Sequence, residues 1–145
     1  MFKVILLPTD GSELSRKAID TAIEYAQVCG AKIHGISVAE PYPFTPLAES
    51  AMAIDPTIYE ENVRNLAQQH VNRIADAAKI AGIECDVSVV LSFSPDEEII
   101  NAAKKYHCDA IFMASHGRSG LSRLFLGSKT QKVLAHSTIP VLVLR

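Results

Sequence analysis

Residues 110–128, AIFMASHGRSGLSRLFLGS, determine how the rest of the chain is interpreted. The segment opens with Ala110–Ala114, an uninterrupted apolar run that is typical of a strand buried on both faces of a parallel sheet. A turn containing Gly117 follows, nine residues separate Gly117 from Gly127, and Ser128 comes next. Glycine lets backbone N–H groups approach an anion closely, and a helix N-terminus adds about +0.5 charge. The segment therefore predicts a phosphate-binding loop.

Two common phosphate-binding patterns are missing from this segment. It lacks G-x-x-x-x-G-K-[ST], because Lys129 follows the glycine and serine in the wrong order and spacing, and it also lacks G-x-G-x-x-G. A plainer interpretation is that the glycines only form a turn and a helix cap. Arg118 and Arg123 add positive charge beside the loop, which favours an anion. We expect Gly117 to be required either for a positive φ or for close approach of a phosphate.

Strand and helix patterns alternate along the chain. The predicted strands are Lys3–Leu7, Lys32–Val38, Glu84–Leu91, Ala110–Ala114 and Pro140–Leu144, and the predicted helices cover residues 12–29, 57–81, 95–106 and 128–135. A proline-rich loop over residues 39–56 holds at most a short helix at 47–54. This alternation indicates a parallel sheet with right-handed crossovers and helices on both faces. We predict one α/β domain over residues 1–145.

Two predicted helix starts carry residues of further interest. Asp10 and Ser12 are both good N-cap types, and Asp10 with Glu13 imitates a capping box. Asp10 is therefore a helix cap or a ligand contact with about equal support from the sequence alone. Ser94-Pro95-Asp96-Glu97 also predicts a helix start with a capping box. His70 falls on or beside the apolar face of the long helix predicted over residues 57–81, and is predicted to be half-buried rather than a ligand.

The spacing of the glycine loop resembles the G-x2-G-x9-G-[ST] nucleotide signature of the universal stress protein family. Gly117, Gly127 and Ser128 match that signature, whereas Ala114 stands where the family has its first glycine. The P-T-D-G-S start at residues 8–12 and the I-P-V-L-V end also match the family's layout, so the resemblance covers essentially the whole chain. It implies a three-layer, Rossmann-like sandwich, similar to the adenine nucleotide alpha hydrolases, with a five-stranded parallel sheet of order 3-2-1-4-5.

The implied strand order brings the ends of the first and fourth strands together, where ligands bind in such sheets. Within the nucleotide site, the glycines and Ser128 suit the β- and γ-phosphates, Asp10 suits ribose or the adenine amine, and Val38 occupies the family's adenine-contact position. Mg²⁺ or Mn²⁺ would be carried by the phosphates, because the loop offers few carboxylates. The predicted nucleotide-binding residues are Pro8, Thr9, Asp10, Val38, Ala114, Ser115, His116, Gly117, Arg118, Gly127, Ser128 and Lys129.

The resemblance implies a cytoplasmic universal stress protein that binds ATP as a regulatory ligand, with the nucleotide biasing a surface read by other proteins. We find no catalytic set in the sequence: no nucleophile–His–acid group, no base placed to activate water and no Walker-B-like acid. Hydrolysis is therefore expected to be slow at most. Two alternatives stay open, namely a slow ATPase on the same fold and a nucleotide-free dimeric scaffold in which Ala114 reflects a lost pocket.

The last predicted strand, Pro140–Leu144, bears on oligomeric state. It is short, apolar and at the sheet edge in the strand order that the resemblance implies. Because an exposed apolar edge strand invites pairing with another chain, we predict a homodimer through it.

Composition argues against several other classes of protein. A net charge of −2 and the lack of a Lys/Arg run argue against a nucleic-acid-binding surface. Cys29, Cys85 and Cys108 are odd in number and lack metal-ligand spacing, so we predict reduced thiols. The apolar runs at residues 4–7 and 139–144 are too short for a signal-peptide core or a membrane span. We therefore expect neither a nucleic acid nor a membrane as partner.

Overall fold

The computed structural model describes residues 1–51, 54–117 and 126–145, without the side chains of residues 48, 49 and 51. The strands are β1 (Val4–Pro8), β2 (Lys32–Ala39), β3 (Cys85–Leu91), β4 (Ala110–Ala114) and β5 (Val141–Leu144). The helices are α1 (Glu13–Cys29), α2 (Pro46–Ala51), α3 (Pro56–Ala81), α4 (Pro95–Lys105) and α5 (Ser128–His136). All strand pairs are parallel and the order is β3-β2-β1-β4-β5, which confirms the predicted α/β fold class and strand order.

The two faces of the sheet carry separate apolar cores, because successive side chains of a strand point to opposite faces. On one face Ile5, Leu7 and Phe112 pack with residues of α1 and α3. On the other face Leu6 and Ile111 pack with residues of α4 and α5. The sheet is thus covered on both sides, which leaves the strand ends as the place where the chain's polar turns meet.

The starts of α1 and α4 differ from the sequence prediction. The N-cap of α1 is Ser12, whose hydroxyl accepts the N–H of Ser15 at 3.2 Å, so the interpretation of Asp10 as the cap of a capping box is wrong. Asp10 instead accepts the N–H of Ser12, which closes a local turn before the helix. Ser94 precedes α4 as predicted, but its side chain makes no capping hydrogen bond within the described residues. Its ψ of 72° falls short of the extended conformation typical of an N-cap.

The connection from β2 to α3 contains the predicted short helix and is anchored to α3. Tyr42 is buried, and its ring contacts Phe44 and Tyr59 with centroid distances of 5.0 and 5.5 Å. The N–H of Tyr42 also donates to Glu60 Oε1 at 3.3 Å. Aromatic contacts of this kind fix the start of the long loop against the helix that follows it.

Candidate functional site

The turns after β1 and β4 lie side by side because these two strands are neighbours in the sheet. Gly117 shows how close the two turns lie, because a Cβ built on Gly117 would lie 2.5 Å from Oδ2 of Asp10. No real Cβ approaches an oxygen so closely, so the main chain of one turn rests directly on the carboxylate of the other. The structure thus brings together the two strand ends that the sequence singles out.

The turn after β1, residues 8–12, is held by hydrogen bonds within the turn and to β2 and α1. The Thr9 N–H donates to the carbonyl of Ile36 at 2.9 Å, and its hydroxyl lies 3.2 Å from that of Ser15 and accepts the N–H of Gly11. Asp10 uses Oδ1 to accept the N–H of Ser12 at 3.0 Å. Thr9 therefore shapes the turn, while the second carboxylate oxygen of Asp10 is directed towards Gly117.

His70 packs onto this turn from α3. Gly11 has a φ of 77°, and any Cβ placed there would overlap the buried His70 ring. The sequence predicts a half-buried histidine at this position, whereas the residue is buried and lies beside a predicted site residue. Because Gly11 and His70 are far apart in the chain, no local pattern in the sequence indicates their contact.

The turn after β4, residues 115–117, is tied to β5 and to α5. Ser115 is only 1% exposed, its N–H donates to the carbonyl of Leu144 at 2.7 Å, and its carbonyl accepts the N–H of Gly127 at 2.8 Å. The hydroxyl of Thr130 donates to the carbonyl of Ala114 at 3.0 Å. These bonds place the start of α5 against the end of β4. The sequence analysis missed Thr130, since threonine in a helix has no pattern that indicates such a bond.

Close approach, and not backbone conformation, favours glycine at the two signature positions. The described glycines with positive φ are Gly11, Gly30 and Gly82, so the expectation of a possible positive φ at Gly117 is wrong. Gly127 has φ −61° and ψ 144°, which any residue adopts, but a Cβ there would lie 3.1 Å from the carbonyl oxygen of Ser115. A side chain at Gly127 would therefore need the Ser115 carbonyl to shift slightly, and one at Gly117 would need the Asp10 carboxylate to move.

The N-terminus of α5 presents backbone donors. Gly127 is its N-cap, and no side chain of the described residues caps the helix. The N–H groups of the first helical turn have no partner inside a helix, and they carry the positive end of its dipole. Ser128 and Lys129 are exposed in this turn. Uncapped N–H groups beside two close-packed glycine positions form an arrangement that fits a phosphate group.

Charged and unpartnered groups surround the two turns. Lys129 Nζ lies 3.7 Å from Oδ1 of Asp96, a buried residue at the start of α4 that the sequence analysis did not select. Nδ1 of His116 forms a hydrogen bond with the hydroxyl of Ser115 at 2.9 Å, in which either atom could be the donor. The buried Nε2 of His116 has no hydrogen-bond partner among the described residues. The predicted site residue Arg118, like Arg123, lies outside the described residues.

Two predicted site residues remain, Pro8 at the end of β1 and Val38 on β2. Pro8 ends β1 and pairs with Ile36, so Val38 stands beyond the end of β1 on the neighbouring strand. Val38 is half-buried and packs against the core on the α4 and α5 face. The predicted set therefore surrounds the β1 end, with Val38 on one side and Gly117 on the other.

The thiols of Cys85 and Cys108 are poorly suited to nucleophilic chemistry. Burial raises the pKa of each to about 11, with Asp86 and Asp109 respectively adding to the rise. A thiol with such a pKa is protonated at neutral pH, and the thiolate is the reactive form. In the described part of the chain, no group of three or more His, Cys, Asp or Glu side chains is arranged to hold a metal ion. No helix of that part is long and apolar enough to cross a membrane.

Comparison with known proteins supports one family. A family model described as the universal stress protein family matches residues 1–145. A universal stress protein of Thermus aquaticus is 32% identical to the chain over 145 residues, covering 100% of both. The solved structure of MJ0577, a universal stress protein of Methanocaldococcus jannaschii, has a TM-score of 0.84 and 26% identity, covering 99% of this chain and 96% of that one.

Two more distant solved structures share the fold and were determined with nucleotides. One is a universal stress protein in complex with cAMP, with a TM-score of 0.69 and 21% identity over 99% of this chain and 97% of that one. The other, from Archaeoglobus fulgidus, is a complex with dAMP, with a TM-score of 0.67 and 16% identity over 100% of this chain and 98% of that one. The match of the family model over all 145 residues and the Thermus relative agree with the strand order and the paired turns, so the chain belongs to the universal stress protein family.

Proposed function

We propose that this protein is a cytoplasmic universal stress protein whose single domain binds ATP as a regulatory ligand between the turns after β1 and β4. The observation that carries the proposal is the N-terminus of α5, which no side chain of the described residues caps and which begins beside the turn where Gly117 faces Oδ2 of Asp10. Such backbone donors favour phosphate groups. The cAMP and dAMP complexes of family members support an adenine nucleotide as the ligand class.

Each part of the nucleotide has a matching group in this arrangement. The N–H groups around Gly117, Gly127 and Ser128 would receive the β- and γ-phosphates. Oδ2 of Asp10 suits ribose hydroxyls or the adenine amine, and Val38 suits the base. Mg²⁺ or Mn²⁺ would be carried by the phosphates, because the described carboxylates near the turns already have neighbours: Asp10 bonds Ser12 and Asp96 faces Lys129. The bound nucleotide would bias a surface that partner proteins recognise.

Two measurements test this proposal. Mass spectrometry of small molecules released from the purified protein should detect an adenine nucleotide. Mg-ATP at about 100 times Kd should stabilise the fold by about 2.7 kcal/mol, which corresponds to a melting shift on the order of 5–10 °C for a chain of this size. Gly117→Val is the control and should remove the shift. No released nucleotide and no shift with millimolar Mg-ATP would instead support a nucleotide-free scaffold.

Hydrolysis of the bound ATP is proposed to be slow. Asp10 is engaged in its own turn, Asp96 faces an ammonium, and the His116 ring is held by Ser115. Both carboxylates thus already have partners, and the free Nε2 of His116 is buried. We expect turnover far below the roughly 1–100 s⁻¹ of kinases. Steady-state turnover above about one per second would favour the enzyme alternative.

The protein is also proposed to form a homodimer through β5. This strand lies at the sheet edge, pairs only with β4 among the described strands, and leaves Leu142 42% exposed. An exposed apolar edge favours pairing with a second copy. Light scattering at tens of micromolar should give a dimer mass, and Val143→Lys should lower it. A monomer mass for the wild-type protein would contradict the proposal.

A further inference from the structure

A pair of opposite charges links the starts of α4 and α5. Lys129 is in the first turn of α5 and its side chain is 50% exposed, whereas Asp96, in the first turn of α4, is 8% exposed. Their Nζ and Oδ1 atoms are 3.7 Å apart, which is an ion pair but too long for a hydrogen bond. Oδ1 of Asp96 is buried and accepts no hydrogen bond from the described residues.

This pairing leaves the carboxylate only partly compensated. A buried carboxylate needs hydrogen bonds or a close opposite charge, because burial removes its hydration. The nearby Lys129 supplies that charge, and the N-terminal dipole of α4 adds to it. If the Lys129 ammonium moved to another anion, the negative charge of Asp96 would therefore be less compensated. The pair holds the ammonium with a defined but modest attraction.

The position of Lys129 gives the ammonium a second possible partner. Lys129 follows Ser128 directly, in the helical turn whose N–H groups have no side-chain cap among the described residues and fit a phosphate. A phosphate chain at that helix start would carry several negative charges into the same region as Asp96. The two anions then compete for one cation.

We propose that Asp96 is a positioning residue which, through Lys129, sets how strongly this protein distinguishes nucleotides by the number of their phosphates. This inference rests on the proposed function, since it assumes that phosphates bind at the start of α5. Asp96 restrains the ammonium and so weakens triphosphate binding, while a nucleoside without phosphates is insensitive to it. Asp96 is thus a determinant of the ratio of ATP affinity to adenosine affinity.

Calorimetric titration of the full chain with Mg-ATP and, separately, with adenosine tests this inference. Asp96→Asn keeps the shape of the side chain and removes its charge, so it should raise the ATP affinity about threefold to tenfold, the range expected for one charge pair near a protein surface. Adenosine affinity should stay within about twofold. Lys129→Met should lower ATP affinity by a similar factor without changing that of adenosine. The double variant should match Lys129→Met more closely than the product of the two single effects, because Asp96 acts through Lys129.

The outcomes separate this inference from the function on which it rests. A wild-type protein that binds neither ligand overturns both. A wild-type protein that binds ATP, with Asp96→Asn leaving or lowering its affinity, overturns the inference alone. Equal changes for ATP and adenosine would assign Asp96 a structural role and also overturn it. Lys129 is half-exposed, so Lys129→Met is expected to fold even if Asp96→Asn does not, and its failure to lower the ratio of ATP to adenosine affinity is decisive by itself.

Discussion

The turns after β1 and β4 meet at one point but are held in different ways. After β1, side chains close the turn: Thr9 bonds Ser15 and Gly11, and Asp10 bonds Ser12. After β4, the main chain does most of the work, with Ser115 bonded through its N–H to β5 and through its carbonyl to Gly127. The side chains of the first turn are paired within the turn and with the start of α1, whereas the second turn leads to a helix start whose N–H groups have no side-chain cap among the described residues.

In the proposed function, this difference gives the two turns different tasks. A turn whose polar groups are already paired gives shape and offers few free donors, which suits the recognition of a base or a sugar by a fixed carboxylate. A turn that leads into uncapped N–H groups offers donors, which suits phosphates. Glycine serves each turn differently as well. Gly11 is needed for conformation and for packing against the buried His70, while Gly117 is needed for clearance from Asp10.

The largest effect is expected from Gly11→Ala, which breaks the closed turn. The new methyl would meet a positive φ of 77° and overlap the His70 ring. Left-handed backbone costs about 1–2 kcal/mol and overpacking about 1–3 kcal/mol, so the free energy of unfolding should fall by about 2–5 kcal/mol. Urea unfolding measures this change.

Gly30 provides a matched control for that measurement. It has a similar φ of 68°, but no described atom lies within 4 Å of the position of its Cβ. Gly30→Ala should therefore cost only the conformational part, about 1–2 kcal/mol. Adding His70→Ala should recover part of the loss in Gly11→Ala. Equal costs at the two glycines would show that His70 does not brace the turn.

Gly117→Val should act on binding rather than on stability. Gly117 is exposed and lacks a positive φ, and the atom that its Cβ would meet is the end of the Asp10 side chain, which can rotate away. The fold should therefore lose less than about 1 kcal/mol, as for most surface substitutions. Nucleotide binding should be lost, because the side chain displaces Asp10 and occupies the approach to the α5 donors. Calorimetry with Mg-ATP, paired with urea unfolding, separates the two effects. A large loss of stability would contradict the contrast with Gly11.

A smaller effect is expected on how the free energy of unfolding depends on pH, because the sheet that carries both turns contains a buried histidine. His34 on β2 is buried, stacks on Tyr106 with ring centroids 3.6 Å apart, and bonds the hydroxyl of Ser88 at 3.0 Å. Burial lowers the pKa of His34, Lys105 adds to the lowering, and Asp86 opposes it. The unfolded chain therefore takes up a proton more readily as pH falls below about 6.5.

Stability from this group should thus be complete above that pH and decrease as pH falls through it. His34→Gln should flatten the dependence between about pH 7 and pH 5, as measured by urea unfolding at several pH values. His136, which is exposed and bonds a carbonyl of its own helix, provides the control substitution His136→Gln. An equal flattening by both substitutions would show that His34 is not the responsible group.

The positions of both turns were predictable from sequence, whereas the N-cap of α1, the backbone conformation of Gly117 and the contacts that cross between elements were not. Patterns such as the apolar run Ala110–Ala114 and the alternation over Glu84–Leu91 predicted the five strands, with bounds within about one residue of those observed. Glycine spacing located the turn after β4 and the start of α5. By contrast, the contacts of Gly11 with His70 and of Asp96 with Lys129 join distant parts of the chain. Such contacts depend on how helices settle on the sheet, and neither residue type nor periodicity encodes them locally.

The smallest effect is expected at Ala114, the one departure from the family's glycine signature. Ala114 closes β4, pairs with Leu144 and does not have a positive φ, so alanine fits its backbone without strain, as the sequence analysis expected. Alternation along β4 places its methyl on the same face of the sheet as Phe112. Its carbonyl is already fixed by Thr130.

Ala114→Gly should therefore change ATP affinity by less than about threefold and lower the free energy of unfolding by about 0.5–1 kcal/mol, the cost of glycine in a strand. Calorimetry and urea unfolding measure both, with Gly117→Val as the contrasting variant. If only the Ala114→Gly variant bound ATP, the methyl group of Ala114 would be what closes the site. The wild-type protein would then be a nucleotide-free scaffold.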